Sequence, residues 1–331
     1  MNSLIIFFVF SLSFTLTFLV KQFALKNNLL DIPNERSSHL IPTPKGGGLA
    51  IVLSFYFALT IFFLLSEIKI SVFYGLCGIA VVAIIGFYDD KKHIQAVYRL
   101  IIHFIAAIWA CLWLGIIPLE TYNNWFIMSL VAVITLLYIV WLLNLFNFMD
   151  GIDGIAAAEA MTVIFSAVIL LVSGSNNTNL ELFLTLLAAL SGFVIWNWPP
   201  AKIFMGDVGS AFLGILIASF SLITANDGSI DFLIWIILLA VFISDATYTL
   251  LVRLFNGERI YEAHKSHTYQ HLSSRYGHKK VTISIIAINL FWLLPLAWLG
   301  HFHDNFLIIS LILAYLPLIM LAIKYRAGQH V

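Results

Sequence analysis

Eleven apolar runs, each long enough to cross a hydrocarbon core of roughly 30 Å, dominate this 331-residue chain. They lie near residues 2–23, 46–66, 71–88, 99–118, 125–144, 155–173, 180–197, 208–226, 231–252, 281–300 and 305–324. Only 10% of the residues are charged, against about 25% in a soluble domain. The pattern predicts an all-α polytopic membrane protein with about eleven transmembrane helices. No linker or soluble domain is visible, and the longest polar stretch is 253–280. No internal repeat supports an inverted-repeat transporter. The whole chain, 1–331, reads as a single integral membrane domain.

Net charge is zero, so partners must be read from where the charges fall. The first run has no basic residue before it, and Lys21 and Lys26 follow it. A secretory signal has the reverse order and a small-residue cleavage site. The expectation is a retained first span with its N-terminus outside. One side then receives 24–45, 89–98, 145–154, 198–207, 253–280 and the C-terminal tail. Of the 17 Lys and Arg, 16 lie there with their adjoining span ends, and only Lys69 falls opposite. That asymmetry assigns the side to the cytoplasm. Glu67, Glu120, Glu181, Asp227, Asp231 and Asp304 fall outside with no shared pattern. Cys77 and Cys111, both in apolar runs, read as small buried hydrophobes.

Three carboxylate clusters interrupt the apolar chain, all at span ends on the basic side. Acids near a bilayer are costly to keep and point to function. Asp89 and Asp90 end the third span, where two carboxylates oppose the helix dipole and repel each other. A solvated helix end would favour Lys or Arg, which follow as Lys91 and Lys92. In the second cluster Asn144, Asn147 and Asp150 recur at i, i+3 and i+6, one face if the fifth span continues so far. Its Asp150-Gly151 and Asp153-Gly154 pairs also suit turns, with Asp153 capping the next helix. The alternating ligands and terminal Glu of an EF-hand are missing. Asp207, in Gly206-Asp207-Val208-Gly209-Ser210, is a natural N-cap for the eighth span. A helix start with glycines can also receive phosphate, and Asn197 to Lys202 bring a cation near it.

Two further segments carry weaker signals. Pro42 to Gly48 resembles a phosphate cradle but lacks the Gly-Lys-Ser/Thr of a P-loop, and otherwise reads as a rigid turn. His264, His267 and His271 stand at i, i+3 and i+7, one face if that loop is helical. Without Cys or an HExxH glutamate, a solvated histidine face is favoured over zinc.

Together these segments resemble the polyprenyl-phosphate N-acetylhexosamine-1-phosphate transferases, glycosyltransferase family 4. The likeness runs from Asp31-Ile32-Pro33-Asn34-Glu35-Arg36-Ser37-Ser38-His39 through the 253–280 loop. Its specific parts are Asn-x-x-Asn-x-x-Asp-Gly-x-Asp-Gly from Asn144 and Pro-Ala-Lys-Ile-Phe-Met-Gly-Asp-Val-Gly-Ser from Pro200. Many members carry adjacent histidines in the last cytoplasmic loop. Here His267 is followed by Thr268-Tyr269-Gln270-His271, more similar to the O-antigen-type initiators of the family.

The resemblance implies transfer of an N-acetylhexosamine-1-phosphate of the GlcNAc, QuiNAc or FucNAc kind. The donor is a UDP-sugar, the acceptor undecaprenyl phosphate, and UMP is released. Such a step would start a lipid-linked glycan such as O-antigen at the bacterial cytoplasmic (inner) membrane. The implied cofactor is Mg2+, with Mn2+ as a substitute, held by Asp207 and Asp150. Asp89, Asp90, Asp207 and His267 would be catalytic, with one of Asp89 and Asp90 as base or as orienter of the lipid phosphate. Lys45, Arg99, Asn144, Asn147, Asp150, Asp153, Asn197, Arg259, His264 and His271 would bind substrate. Membrane lipid is a partner, a homodimer is allowed, and no nucleic acid is expected. The muramyl-pentapeptide branch of the family is the alternative reading. A CDP-alcohol phosphotransferase is disfavoured, because Asp153-Gly154-Ile155-Ala156-Ala157-Ala158 lacks the required Arg. An ion-coupled transporter predicts acids buried mid-span, and Asp245 is the only mid-span candidate, while the clusters lie at one face.

Overall fold

The computed structural model describes residues 2–33, 38–39, 41–92, 94–118, 124–174, 178–258 and 264–329. It is almost entirely helical, as a chain in hydrocarbon must be when each backbone group needs a partner within its own segment. The helices are α1 (Asn2–Lys26), α2 (Gly48–Leu64), α3 (Ile70–Gly78), α4 (Ala80–Lys91), α5 (Ala96–Leu114), α6 (Trp125–Met149), α7 (Ile155–Ser173) and α8 (Leu180–Asn197). They continue with α9 (Asp207–Asp227), α10 (Phe232–Leu238), α11 (Ala240–Phe255), α12 (Thr268–Tyr276), α13 (His278–Ile288), α14 (Leu294–Phe302) and α15 (Leu307–Lys324).

Every one of the eleven apolar runs is helical. Among the described residues nine helical stretches are long and apolar enough to cross a membrane, with α3–α4 and α13–α14 each counted as one. A tenth is the pair α10–α11, bent by 76°. Helix α2, at 17 residues, is a shorter apolar helix. The fifth run does not stop at residue 144. Helix α6 runs on to Met149, because Leu145, Phe146 and Met149 are buried and keep the apolar face going. The 253–280 stretch is not a plain loop either, since it contains α12.

The centre of the bundle is α9, whose residues from Val208 to Ala225 are all buried. Its small residues allow neighbouring backbones to come close, the usual device of membrane helices. A Cβ on Gly214 would stand 2.6 Å from the Leu142 carbonyl oxygen on α6. Helices α1 and α15 are mostly exposed and form the outer wall toward lipid.

Buried acids are not confined to Asp245. Glu159 on α7 is fully buried and accepts from Asn289 Nδ2 at 2.7 Å. Asn289 also donates to Thr162 Oγ1 at 2.7 Å, and it begins the π-helical turn Asn289–Leu293 between α13 and α14. The widened turn sits where this polar cross-link forms, a frequent association for π-bulges.

On the basic face the connections pair with one another. Leu30–Asp31 (β1) and Thr43–Pro44 (β2) form a short antiparallel ladder, Leu30 opposite Pro44 and Asp31 opposite Thr43. The 44–48 segment then runs beside 204–205. Phe204 N–H donates to Pro44 O at 2.8 Å, and Gly47 and Gly48 N–H donate to Phe204 O and Met205 O, both at 2.9 Å. Gly209 and Gly48 touch so closely that a Cβ on Gly209 would lie 2.7 Å from Gly48 Cα. These contacts set the Pro42–Gly48 turn against the start of α9. The rigid-turn reading of that segment holds, and the turn carries Lys45 to the same place as Asp207.

The basic asymmetry predicts a cytoplasmic position for this face, and a labelling experiment tests it. Ser274 is exposed on α12. In a background without Cys77 and Cys111, Ser274→Cys should resist an impermeant thiol reagent in intact cells and react once the membrane is opened. Ready labelling from outside would reverse the assignment.

Candidate active site

Asp90 solves the local problem that two carboxylates create at the end of α4. Its oxygens accept the N–H groups of Asp207 and Val208, both at 3.3 Å, so the carboxylate lies on the N-terminus of α9, where a negative charge is favoured. Gly206 makes the approach fit. Its φ is +73°, and a Cβ there would stand 2.5 Å from Asp90 Oδ2. Lys45 Nζ lies 3.8 Å from Asp90 Oδ1. Asp89 points elsewhere. It accepts from Ile94 N–H and from Arg99 Nη1, both at 2.6 Å.

Arg99 joins the first cluster to the third. The same Nη1 meets Asp207 Oδ2 at 2.8 Å. Asp207 therefore does not cap α9. Gly206 holds the N-cap position, and Asp207 is the first helical residue with its side chain directed to Arg99.

The second cluster brings Asn147 and Asp150 to the same place. Asp150 ends α6 as its C-cap, and its N–H donates to Asn147 O at 3.3 Å. Burial, then the neighbouring carboxylates of Asp207, Asp90 and Asp153, push the Asp150 carboxyl well above the usual carboxylate range. Asp153 behaves oppositely. Burial alone would raise it, but His278 and the Ala201 N–H, at 3.0 Å, hold it below its ordinary value. Asp153 does not cap α7 either. Gly154 occupies that position, with φ +73°, while the Asp153 carboxylate lies 3.3 Å from His278 Nδ1. His278 Nε2 donates to the Ser38 carbonyl at 3.1 Å, tying the 31–45 connection to α13.

These groups line one polar cavity of about 410 Å³. Five aspartates reach it: Asp31, Asp90, Asp150, Asp153 and Asp207. Lys45, Asn147, Asn197, Ser210, His264, Gln270 and Phe204 complete much of the wall. Asn197 acts mainly as a brace, its Nδ2 donating to Ile203 O at 2.9 Å across the Pro199–Lys202 turn. Arg99 and Asp89 stand behind Asp207 rather than in the wall.

Other expected residues separate. Asn144 turns back on its own helix, donating to Val140 O at 2.7 Å. The three histidines do not share a helical face. His264 precedes α12 and stacks on His267, ring centroids 4.8 Å apart, while His267 is the N-cap. His271, inside α12, bonds the Tyr325 carbonyl at 2.8 Å and faces away from the cavity. Arg259 lies outside the described residues.

Asp245 is explained by this loop. Its oxygens accept the N–H groups of Thr268 and Tyr269, each at 2.9 Å, and His267 Nδ1 lies 3.4 Å away. The buried acid thus holds the start of α12 and the His267 ring, a structural use that a transporter site does not require. Gln270, His278 and His39 were not singled out by spacing. Gln270 completes a reciprocal cap, accepting the His267 N–H at 3.1 Å, and a Gln three residues after a helix start is its sequence signature. His39 packs edge-on against Phe204, centroids 4.9 Å apart. It lies in the quoted Asp31–His39 segment, whereas His278 is an isolated residue with no spacing partner.

The arrangement gathers hard oxygen donors and a few cations around space large enough for phosphates. Among the described residues no three His, Cys, Asp or Glu form a closed metal cage. A cation here would be held by one or two carboxylates together with a ligand, the usual habit of Mg2+.

The raised Asp150 carboxyl makes a signed prediction. Its stabilising contribution is present below the unfolded value near 3.8 and is lost as pH rises through the folded value. In detergent with a chelator at neutral pH, Asp150→Asn should therefore melt higher than the wild type. The advantage should shrink as pH falls toward 4. A lower melting temperature at neutral pH would contradict the electrostatic account.

The profile described as Glycosyl transferase family 4 matches residues 72–225, which carry Asp89, Asp90, Asn147, Asp150 and Asp207. A "Probable undecaprenyl-phosphate N-acetylglucosaminyl 1-phosphate transferase" of Bacillus subtilis is 28% identical over 280 residues, 82% of this chain and 78% of that protein. A "Phospho-N-acetylmuramoyl-pentapeptide-transferase" of Kocuria rhizophila is 32% identical over 127 residues, covering 37% of this chain and 32% of that protein. A protein of the same description from Lactiplantibacillus plantarum is 39% identical over 70 residues, 21% of this chain and 22% of that protein. These matches support glycosyl transferase family 4 as the family to which the chain is similar.

Proposed function

We propose that this protein transfers an N-acetylhexosamine-1-phosphate from a UDP-sugar to undecaprenyl phosphate, releasing UMP and starting a lipid-linked glycan. The observation that carries the reading is the aspartate-rich cavity at one face of the bundle, with Lys45 in its wall and Arg99 behind it. The long match to the Bacillus subtilis relative supports the acceptor and the small-sugar donor. The bacterial inner membrane is the matching location.

An acceptor phosphate oxygen attacks the sugar-bearing phosphorus, and the bond to the bridging oxygen of UMP breaks. The barrier is mainly electrostatic, since one anion must approach another, so positioning and neutralisation supply most of the catalysis. The acceptor monoester has a second pKa near 6 and is largely ionised at neutral pH. A strong base is not needed. Asp90 faces the cavity and Asp89 does not, so Asp90 takes any residual proton or orients the acceptor. Lys45 and Arg99 offset phosphate charge. His264 and Gln270 border the donor, with His267 held behind them by Asp245.

Mg2+ fits this site, because Asp207 and Asp150 are hard oxygen donors in an acidic cluster short of cations. When bound, it would neutralise the diphosphate and polarise it toward attack. Asp207→Asn should then remove nearly all turnover while the protein stays folded in detergent. It should also weaken the rise in melting temperature that Mg2+ gives the wild type. A folded Asp207→Asn protein with substantial Mg2+-dependent turnover would sink the assignment.

The donor is a small acetamido sugar of the GlcNAc, QuiNAc or FucNAc kind, and O-antigen is the matching glycan. The short His264–Gln270 wall supports this, in a loop without adjacent histidines. A pocket rejects an isostere differing by one hydroxyl only if it hydrogen-bonds that position, so overlap among these donors is expected. Purified protein should form a lipid-linked HexNAc diphosphate from at least one small donor and release UMP. Activity with UDP-MurNAc-pentapeptide alone, across the same donor panel, would overturn the reading.

A further inference from the structure

The segment that follows α15 is tied to the donor side of the cavity at two points. Terminal segments fray unless something holds them, yet Ala327 is only 1% exposed. Helix α15 closes with paired bonds, from Arg326 N–H to Ile323 O at 3.1 Å and from Ala327 N–H to Ala322 O at 3.0 Å. That is the Schellman arrangement, in which a residue in the left-handed region reverses the chain. Glycine usually fills that place, but here it is Arg326, with φ +53°. A residue with a side chain keeps such a backbone only where its surroundings hold it.

The reversed chain meets α11 and the start of the donor wall. Gly328 N–H donates to Ser266 O at 2.8 Å. Its φ is +81°, and a Cβ there would lie 2.7 Å from Val252 Cβ and 2.8 Å from Thr249 O, so glycine lets the turn lie on α11. Ser266, itself buried, passes the contact on. Its Oγ lies 2.9 Å from His264 Nδ1, and His264 lines the aspartate cavity. The second tie is His271, whose Nδ1 lies 2.8 Å from Tyr325 O. A carbonyl oxygen can only accept, so this nitrogen carries the proton. His271 thus fastens α12 to the turn, while its neighbour Gln270 lines the cavity.

We propose that the turn 325–328 is a positioning element of the donor wall, acting on His264 through Ser266 and on Gln270 through His271. The inference rests on the UDP-sugar reading above, in which His264 and Gln270 border the donor. A ligand binds more tightly when the side chains that receive it are already fixed, because less ordering is left to do on binding. The two ties fix both residues from behind the cavity wall. Asp90, which orients the acceptor in the same reading, is held separately by the start of α9. Loosening the turn should therefore weaken the donor and spare the acceptor. His271 gains a use that does not require it to reach the cavity.

His271→Ala removes one tie, whereas His271→Asn keeps a donor, its Nδ2, near the place of Nδ1. His271→Ala should raise KM for the UDP-sugar about tenfold, a loss of about 1.4 kcal/mol in binding. Its kcat and its KM for undecaprenyl phosphate should stay near wild type. His271→Asn should restore the donor KM. Gly328→Val breaks the other tie and should give the same donor-selective rise, so that either position decides if the variant at the other does not fold. Ties that served stability alone would lower the melting temperature of these variants and leave both KM values unchanged. That result, an equal rise in both KM values, or no restoration by His271→Asn would overturn the inference and leave the reaction standing. A wild-type protein inert toward every UDP-N-acetylhexosamine with undecaprenyl phosphate would instead remove the reaction on which it rests.

Discussion

The carboxylate of Asp90 on the first two N–H groups of α9 is the contact on which the rest of the site depends. At the end of its own helix that charge is misplaced, and at the start of another it is favoured. The bond can form only because α9 is buried among small residues and Gly206 leaves room. With α4 joined to α9, Arg99 reaches both Asp89 and Asp207, and the 44–48 turn brings Lys45 alongside. One junction therefore aligns the first and third carboxylate clusters and sets both cations against them.

Within the cavity, charges of like sign are crowded at one end and partly neutralised at the other. Asp153 is compensated by His278 and the Ala201 amide, whereas Asp150 faces other carboxylates. Such an imbalance is costly, and in the proposed reaction a cation and phosphates arriving together would offset it. Preorganised groups of this kind stabilise charge in a phosphoryl-transfer transition state without reorganising during the reaction.

Much of the fold was legible in the chain, because hydrocarbon leaves few choices. The eleven apolar runs all became helices, and the five connections on the basic side did converge. The aspartates were legible too, since acids at span ends have no cheap structural excuse. The local alternatives for Asp153 and Asp207 failed, because glycines took both caps and freed the side chains for the cavity. Finer assignments were not readable from spacing. Asn144 and Asn147 look equivalent on a helical wheel, yet Asn144 turns to Val140 and only Asn147 reaches the cavity. His264, His267 and His271 share a period that the helix boundary at Thr268 breaks.

The sequence by itself determined that this is a helical membrane protein and that its carboxylate clusters fall at span ends on the basic side. Hydropathy and charge asymmetry act locally along the chain, so they can be read without knowing any neighbour. Tertiary structure alone decided which acid meets which amide or cation, and that Asp245 holds the His267 loop. Those contacts link residues far apart in sequence, such as Asp90 with Asp207 and Asp153 with His278. Their existence depends on how closely small residues let the helices approach, a property of pairs of helices and not of any one segment.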